Sequence, residues 1–278
     1  VLQGEHDEVH NLLERALKHA EATAHYNVYF GTGRDSYDEY GRVAHESIFN
    51  LNDGQYRCPS TQQGYSPFTT WTRGQAWILS GYPEQLEFLR GAPDEEFATL
   101  DNSLFKDKAT VVERLREVSI ATAEHFIKET PTDGIPYWDT GAPGLAHMGD
   151  YKDRPAEPYN DHEPVDSSAA AISAQGLVRL GITLESMGHA DADRYLQAGL
   201  TVAARLFEEP YLSTDPEHHG LILHSVYHRP NGWDHVPDGQ SIPCNESTMW
   251  GDYHAMELAL LIKRMANDGY HRFSAWEQ

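Results

Sequence analysis

Apolar residues recur every three or four positions in six segments of the chain, and this helical periodicity constrains the fold more than any other feature. Asp166 and the two serines after it supply N-cap residues for the fourth segment, and Gly188 supplies its C-terminal stop. The sixth segment is almost wholly apolar over residues 258–262, so we expect it to be buried. These patterns predict an all-α fold class. The predicted helices cover residues 8–25, 67–80, 109–129, 166–188, 190–206 and 250–265.

Three long connections separate these helices, over residues 27–66, 130–165 and 210–247, and they are rich in aromatic residues, glycine and proline. Loops of this length inside a compact domain are commonly functional. In the first connection, Asn52-Asp53-Gly54 predicts the turn of a short β-hairpin. We therefore expect a helical domain with elaborated loops at one end.

Six helices with such apolar faces make an open half of a helical barrel and do not close it. The first four residues, VLQG, predict the end of a preceding helix and its C-cap glycine. We therefore expect this chain to lack an N-terminal portion, or a partner to cover its open side. A compact six-helix domain is the alternative.

Composition narrows the classes of partner. The formal net charge of −22 argues against a nucleic-acid partner, because phosphates attract a basic surface. No apolar run approaches the ~20 residues that a membrane-spanning helix needs, so we expect no membrane-embedded segment. Cys58 and Cys244 are distant in sequence, which favours free thiols and leaves a disulfide between them open.

The stretch TTWTRGQAWILSGY, residues 69–82, begins the second predicted helix with polar and aromatic residues instead of core residues. Arg73 and Trp77 are four positions apart and share one helical face. This spacing predicts an arginine stacked one turn above an indole.

Four ordered motifs carry a family resemblance: TQQGYSPFTTWTRGQAW, YWDTGAP, DSSAAAISAQGLVRL and WGDYHAMELALL. Together they resemble glycoside hydrolase family 88, the unsaturated glucuronyl hydrolases, over about residues 16–262. The related family 105, which acts on unsaturated rhamnogalacturonan fragments, shares the Arg-Gly-x-x-Trp element. The resemblance implies an (α/α)6 barrel, incomplete in this chain, with residues 1–278 forming the C-terminal portion of a single domain and the active site at its loop-bearing mouth.

The implied reaction removes a 4,5-unsaturated uronic acid from the non-reducing end of oligosaccharides left by a polysaccharide lyase. An aspartic acid protonates the C4=C5 vinyl ether, water adds at C5, and the hemiketal opens. Such an acid must be protonated near its working pH, so burial or a second carboxylate should raise its pKa. An unsaturated rhamnogalacturonyl hydrolase and a non-catalytic carbohydrate-binding barrel are the alternatives.

The resemblance assigns substrate-binding roles to Arg73, Trp77 and Gln63, and places His45 near the reacting ring as a possible assisting group. Trp138 is expected to line the mouth, and Asp139 either lines it too or is a turn residue. Each role has a simpler structural alternative. Arg73 would pair with an acid on a solvated face, Trp77 would belong to the core, Gln63 would cap the second helix, and His45 would be a hydrogen-bonded loop residue.

The catalytic acid is not identified in this chain. The family's two aspartates lie upstream of the matched region, and neither Asp7 nor Asp38 fits their positions. The proton donor is therefore expected in sequence before Val1, or the chain alone is inert.

We predict neither a metal nor a cofactor. The loop histidines lack the tight helical spacing of a zinc pair, and they are His218, His219, His224, His228 and His235. The expected partner is an unsaturated uronic-acid oligosaccharide. The source polysaccharide, sulfate recognition, oligomeric state and a cytoplasmic or periplasmic location stay open.

Overall fold

The computed structural model describes residues 2–3, 9–98, 100, 104–267 and 269–273. This part of the chain is mostly helical, as predicted, with two short hairpins. The strands are β1 Leu2–Gln3, β2 Val9–His10, β3 Glu46–Phe49 and β4 Tyr56–Ser60. The helices are α1 Leu12–Asn27, α2 Thr72–Gly91, α3 Asp94–Ala98, α4 Lys108–Glu129, α5 Ser167–Ser186, α6 Ala192–Leu206 and α7 Met249–Asn267. The prediction of a single domain over residues 1–278 stays a prediction.

The start of the chain differs from the predicted helix tail. Strand β1 pairs antiparallel with β2, so Leu2 faces His10 and Gln3 faces Val9. The ladder uses backbone groups that a helix would need, and the expectation for residues 2 and 3 is wrong, while Val1 and Gly4 lie outside the described residues. Helix α1 also begins later than predicted, because residues 9 and 10 pair in β2. Its predicted first residue, residue 8, lies outside the described residues. Helix α1 begins at Leu12, where the Asn11 side chain accepts a hydrogen bond from the Glu14 backbone N–H at 3.2 Å.

The hairpin predicted around Asn52-Asp53-Gly54 is confirmed. Strands β3 and β4 pair antiparallel, with Glu46 opposite Ser60, and Gly54 in the turn has a φ of +68° that suits glycine. His45 directly precedes β3, and Thr61 directly follows β4. The open end of this hairpin therefore presents both residues to the beginning of α2.

Helix α2 begins later and ends later than predicted. The Trp71 backbone forms a bridge with Asp139, so the helix starts only at Thr72. It then continues through Pro83 to Gly91. Proline has no N–H to bond the carbonyl of Leu79, one turn earlier. Gly176 of α5 packs against that carbonyl so closely that an added Cβ would lie 2.0 Å from the Leu79 oxygen.

Helix α5 is the centre of the described fold. It is buried along most of its length and packs against α2, α6 and α7. Gly181 lets α6 approach, because a Cβ there would lie 2.6 Å from the Leu196 nitrogen. Helix α4 packs on the other side of α2, and α1 is held by a hydrogen bond from the Tyr82 hydroxyl to the Ala20 carbonyl at 2.6 Å.

Helix α7 is not buried all round, contrary to the expectation from its composition. Ala255, Leu258 and Leu261 face the core, whereas Met256 is 63% exposed and Leu260 is also exposed. The apolar run thus covers a packed stripe and an open one. Helices α2, α5 and α7 begin at the same end, because Arg73 in α2 contacts the cap of α5, and Trp250 in α7 contacts Ser168 of α5.

Candidate active site

Arg73 is the centre of the polar contacts at this end of the helices. It is almost fully buried, and its Nη1 donates to Asp166 Oδ2 at 2.9 Å and to the Val226 carbonyl. Its Nη2 donates to the Tyr227 carbonyl at 2.8 Å and to Gln63 Oε1 at 3.3 Å. Arg73 does pair with an acid, but inside the protein and not on a solvated face. One guanidinium thus joins α2, α5 and two loops.

The indole rings around Arg73 are Trp71 and Trp250. The guanidinium carbon lies 4.8 Å from the Trp71 ring centre and 4.9 Å from that of Trp250, which is cation–π geometry. Gly74 makes room for the first ring, since a Cβ there would lie 2.6 Å from Trp71 Cε3. Gly74, the glycine of the Arg-Gly-x-x-Trp element, therefore leaves the space that the Trp71 ring occupies.

Trp77 points elsewhere. It is 41% exposed, so it is not a core residue, and its ring meets the His254 ring edge-to-face at 5.3 Å between centres. His254 in turn bonds Gln175 of α5 at 2.8 Å. The predicted stack of Arg73 on Trp77 is wrong, because Arg73 is engaged between two other indoles. A substrate-binding role for Trp77 stays a prediction.

Asp166 has two functions that the sequence pattern only half predicts. As the N-cap of α5, its Oδ1 accepts from the Ser168 and Ala169 backbone N–H groups at 3.1 and 3.4 Å. Its Oδ2 holds Arg73, and the carboxylate is fully buried. Both oxygens of this carboxylate are therefore occupied, one by the arginine and one by the helix N–H groups.

His45 and Gln63 lie beside Arg73, while their roles toward a substrate stay predictions. His45 Nδ1 accepts hydrogen bonds from two backbone N–H groups, that of Gln62 at 3.2 Å and that of Gln63 at 3.4 Å. Nδ1 is therefore an acceptor, so a neutral His45 carries its proton on Nε2. Burial lowers the pKa of His45, the Glu46 carboxylate partly offsets this shift, and Arg73 and His228 lower the pKa further. We infer a neutral imidazole that offers an N–H to a ligand.

An exposed aromatic surface borders this cluster. Tyr227 lies 5.6 Å from Trp250 and 5.5 Å from Trp233 between ring centres, and both Tyr227 and Trp233 are exposed. The carboxylate of Asp234 fixes the loop by accepting the backbone N–H groups of Tyr227 and His228. Sequence reasoning missed Trp71, Tyr227, Trp233 and Trp250. The aromatic content of the last long loop, and the glycine after Arg73, were the available signals.

Trp138 and Asp139 lie beneath the site. Trp138 is 4% exposed and its indole N–H donates to Glu163 at 2.8 Å, so the ring offers little surface to a ligand. Contact between Trp138 and a substrate stays a prediction, and the burial of the Trp138 ring argues against it. Asp139 is a turn residue, because its Oδ1 accepts from the Gly141 N–H at 2.9 Å.

The remaining predictions concern metal ligands, the two cysteines and membrane-spanning segments. No three of the His, Cys, Asp or Glu side chains that the structure describes form a group that could hold a metal ion. Cys58 is exposed, Cys244 is buried, and the two are not joined in a disulfide. Among the helices that the structure describes, none has the length and apolar character needed to cross a bilayer. A cavity of about 620 Å³ lies between Phe97 and the start of α4, and none of the residues around Arg73 lines it.

The chain is similar in sequence to known hydrolases. No protein-family model matches the chain. The unsaturated glucuronyl hydrolase of Bacillus sp. (strain GL1) is 28% identical over 220 residues, which are 79% of this chain and 46% of that protein. The unsaturated chondroitin disaccharide hydrolase of Streptococcus pyogenes is 26% identical over 248 residues, which are 89% of this chain and 48% of that protein. The chain thus spans about half the length of the curated relatives that it matches.

The fold agrees with these relatives. The crystal structure of the unsaturated glucuronyl hydrolase from Bacillus sp. GL1 superimposes with a TM-score of 0.61 and 25% identity, covering 93% of this chain and 53% of that one. The prediction of an α/α-barrel architecture is confirmed at this level. In sequence and in fold, the chain is similar to unsaturated glucuronyl hydrolases, in agreement with the resemblance to glycoside hydrolase family 88 that its motifs carry.

Proposed function

We propose that the protein is a hydrolase that removes a 4,5-unsaturated uronic acid from the non-reducing end of lyase-generated oligosaccharides. The observation that carries this proposal is the immobilised Arg73, held between two indoles and by Asp166, with Gln63 and His45 next to it. Sugar sites combine aromatic faces with directed polar groups in this way. The names of the curated relatives support the same substrate class.

In this proposal, the exposed rings of Tyr227 and Trp233 offer apolar faces to the sugar. Gln63 and the Nε2–H of His45 supply hydrogen bonds to its polar atoms. The guanidinium of Arg73 fixes Gln63, because Gln63 Oε1 accepts a hydrogen bond from it. Asp166 compensates the charge of Arg73, and the whole chain carries a net charge of −22, so the uronate carboxylate has to be held by directed hydrogen bonds within the site.

The proton donor is assigned to none of the described carboxylates around Arg73. Asp166 is ion-paired, and Asp234 accepts two backbone N–H groups. Burial raises the pKa of Asp139, but its side chain is enclosed and bonded to Tyr65 and Gly141. This occupancy favours one second candidate, a carbohydrate-binding surface without catalysis.

The test follows the ultraviolet absorbance of the C4=C5 bond in lyase-generated oligosaccharides from chondroitin, heparin, ulvan and rhamnogalacturonan. Loss of the band on a chondroitin, heparin or ulvan product supports the hydrolase, and loss on the rhamnogalacturonan product alone supports the related rhamnogalacturonyl activity. Quenching of tryptophan fluorescence with an unchanged band supports the binding surface. No loss and no quenching on any substrate rejects the proposal.

A further inference from the structure

Asp139 joins three segments of the chain, although no ligand can reach it. Its side chain is 0% exposed. One carboxylate oxygen accepts from the Tyr65 N–H at 2.8 Å, and the other accepts from the Gly141 N–H at 2.9 Å. Its backbone forms a bridge with Trp71, just before α2. The residue therefore connects the loop after β4, its own turn and the start of α2.

The loop that Asp139 holds is the one that carries Gln63. Thr61 closes this loop from within, because its Oγ1 accepts from the Gly64 N–H at 2.8 Å. Gly64 packs directly on the carboxylate, since an added Cβ would lie 2.9 Å from Asp139 Oδ2 and 2.9 Å from Trp71 Cβ. The path from Asp139 to the Gln63 side chain is thus two residues of tightly packed backbone.

The same loop determines the state of His45. The backbone N–H groups of Gln62 and Gln63 both donate to His45 Nδ1, and Thr61 Oγ1 lies 3.2 Å from that atom. A displaced loop would remove these donors and release the imidazole. It would also move Gln63 Oε1 away from Arg73.

We propose that Asp139 is a positioning residue, which holds the 61–65 loop so that Gln63 and His45 meet the substrate beside Arg73. This inference rests on the proposed function for its kinetic consequence, but the tether itself does not depend on any substrate. Asp139 acts only through the loop and does not contact the sugar.

The role requires a carboxylate. Both oxygens face backbone N–H donors, and a carboxylate accepts at both positions. In an Asp139→Asn variant, the amide NH₂ would face one of these donors, so one bond would be lost at nearly constant shape. Depending on the orientation of the amide, either the Tyr65 N–H or the Gly141 N–H keeps its acceptor.

Asp133 provides a matched control for this substitution. It is also buried, at 8% exposure, and its two oxygens accept from the Ile135 N–H at 3.3 Å and the Ala156 N–H at 3.1 Å. Its hydrogen bonds lie in the loop after α4, and its ion pair joins Arg205 of α6 at 3.5 Å, so no contact involves His45, Gln63 or Arg73. Asp133→Asn should therefore cost stability without affecting the site.

The experiment compares Asp139→Asn, Asp133→Asn and the unchanged chain by thermal unfolding, amide hydrogen exchange and kinetics on a lyase-generated unsaturated disaccharide. We expect both variants to lose stability. Only Asp139→Asn should speed exchange over residues 61–65 and lower kcat/KM, by roughly 10- to 100-fold, mainly through kcat. Equal kinetics for the two variants, or unchanged exchange in Asp139→Asn, would overturn the proposal.

A second variant covers the case in which Asp139→Asn does not fold. Gly64→Ala presses a methyl group onto the same contact from the loop side and leaves the bond to Gly141 in place. It should reproduce the exchange and kinetic effects, and normal values for both would again reject the tether. If the unchanged chain shows no turnover, the proposed function fails, while the exchange measurement still decides whether Asp139 holds the loop.

Discussion

The side chain of Arg73 runs away from Trp77, although their spacing places both on one face of α2. Side chains in a helix tilt toward its N-terminus, so a long arginine in the first turn reaches past the helix start. There it meets Trp71, Trp250 and Asp166. The motif therefore predicts the residue, but spacing along the helix predicts the wrong indole.

Replacing Arg73 by lysine should weaken both the fold and the site. A single ammonium cannot serve Asp166, Gln63 and two carbonyls at once, so buried acceptors lose their donors. We expect the free energy of unfolding to fall by about 2–3 kcal/mol. We also expect kcat/KM on an unsaturated disaccharide to fall by roughly 100-fold. Denaturant titration and loss of the double-bond absorbance measure the two effects.

Arg179→Lys is the control for this prediction. Arg179 is also buried, donates to Glu87 at 3.1 Å and lies over the Tyr270 ring, away from the Arg73 cluster. It should lose a comparable free energy of unfolding and keep its kinetics. If Arg73→Lys behaves in the same way, Arg73 has a structural role only.

At the scale of elements, α2 and α5 fit each other through features that their separate patterns do not explain. Gly81 and Pro83 are residues typical of helix ends, and the sequence pattern predicts an end of α2 at residue 80. The helix instead continues to Gly91. Pro83 leaves the Leu79 carbonyl without its usual helical donor. Gly176 of α5 packs on that same carbonyl. The requirement for glycine at position 176 therefore follows from the packing of α5 on α2 and not from the pattern of either helix alone.

Gly176→Ala should therefore destabilise the fold strongly. The added Cβ would lie 2.0 Å from the Leu79 oxygen and 2.9 Å from Ser80 Cα, and backbone atoms cannot rotate away. We expect a loss of about 3 kcal/mol in the free energy of unfolding, because α5 must move off α2. Equilibrium denaturation measures the loss.

The control is Gly81→Ala in α2, where an added Cβ meets no atom within 4 Å. Alanine should there stabilise the helix by about 0.5–1 kcal/mol. A Gly176→Ala variant that unfolds like Gly81→Ala would show that the close approach of the two helices is not required.

At the scale of the whole molecule, the candidate site is assembled from parts that are far apart in sequence. Helical periodicity and N-cap residues predict α4, α5 and α6 within a few residues, because these signals are local. The joint position of Asp166, Trp250 and Gln63 around Arg73 depends on packing between helices and loops. No local pattern encodes that packing, and only the family motifs predicted part of it. The open face of α7 escaped prediction because composition does not distinguish a buried stripe from an exposed one.

A polar bond between α2 and α4 couples this packing to pH. Gln75 Nε2 donates to the Thr122 carbonyl at 3.1 Å, so that atom is the amide nitrogen, and it lies 2.9 Å from His125 Nδ1. His125 must accept there, which requires a neutral ring. Burial lowers the pKa of His125 to about 4. Burial also lowers the pKa of His224 to about 4.

The unfolded chain binds a proton on His125 near pH 6.5, whereas the folded chain does so only near pH 4, so stability should fall as the pH drops between these values. The full loss from this residue is about 3 kcal/mol. His125→Asn keeps an acceptor for Gln75 and cannot titrate, so its free energy of unfolding should depend less steeply on pH, by up to one proton. Denaturant titrations from pH 7 to pH 4 measure the slope. His219→Asn, which removes an exposed histidine, is the control; equal slopes in all three proteins would mean that His125 binds its proton equally well in the folded and the unfolded chain.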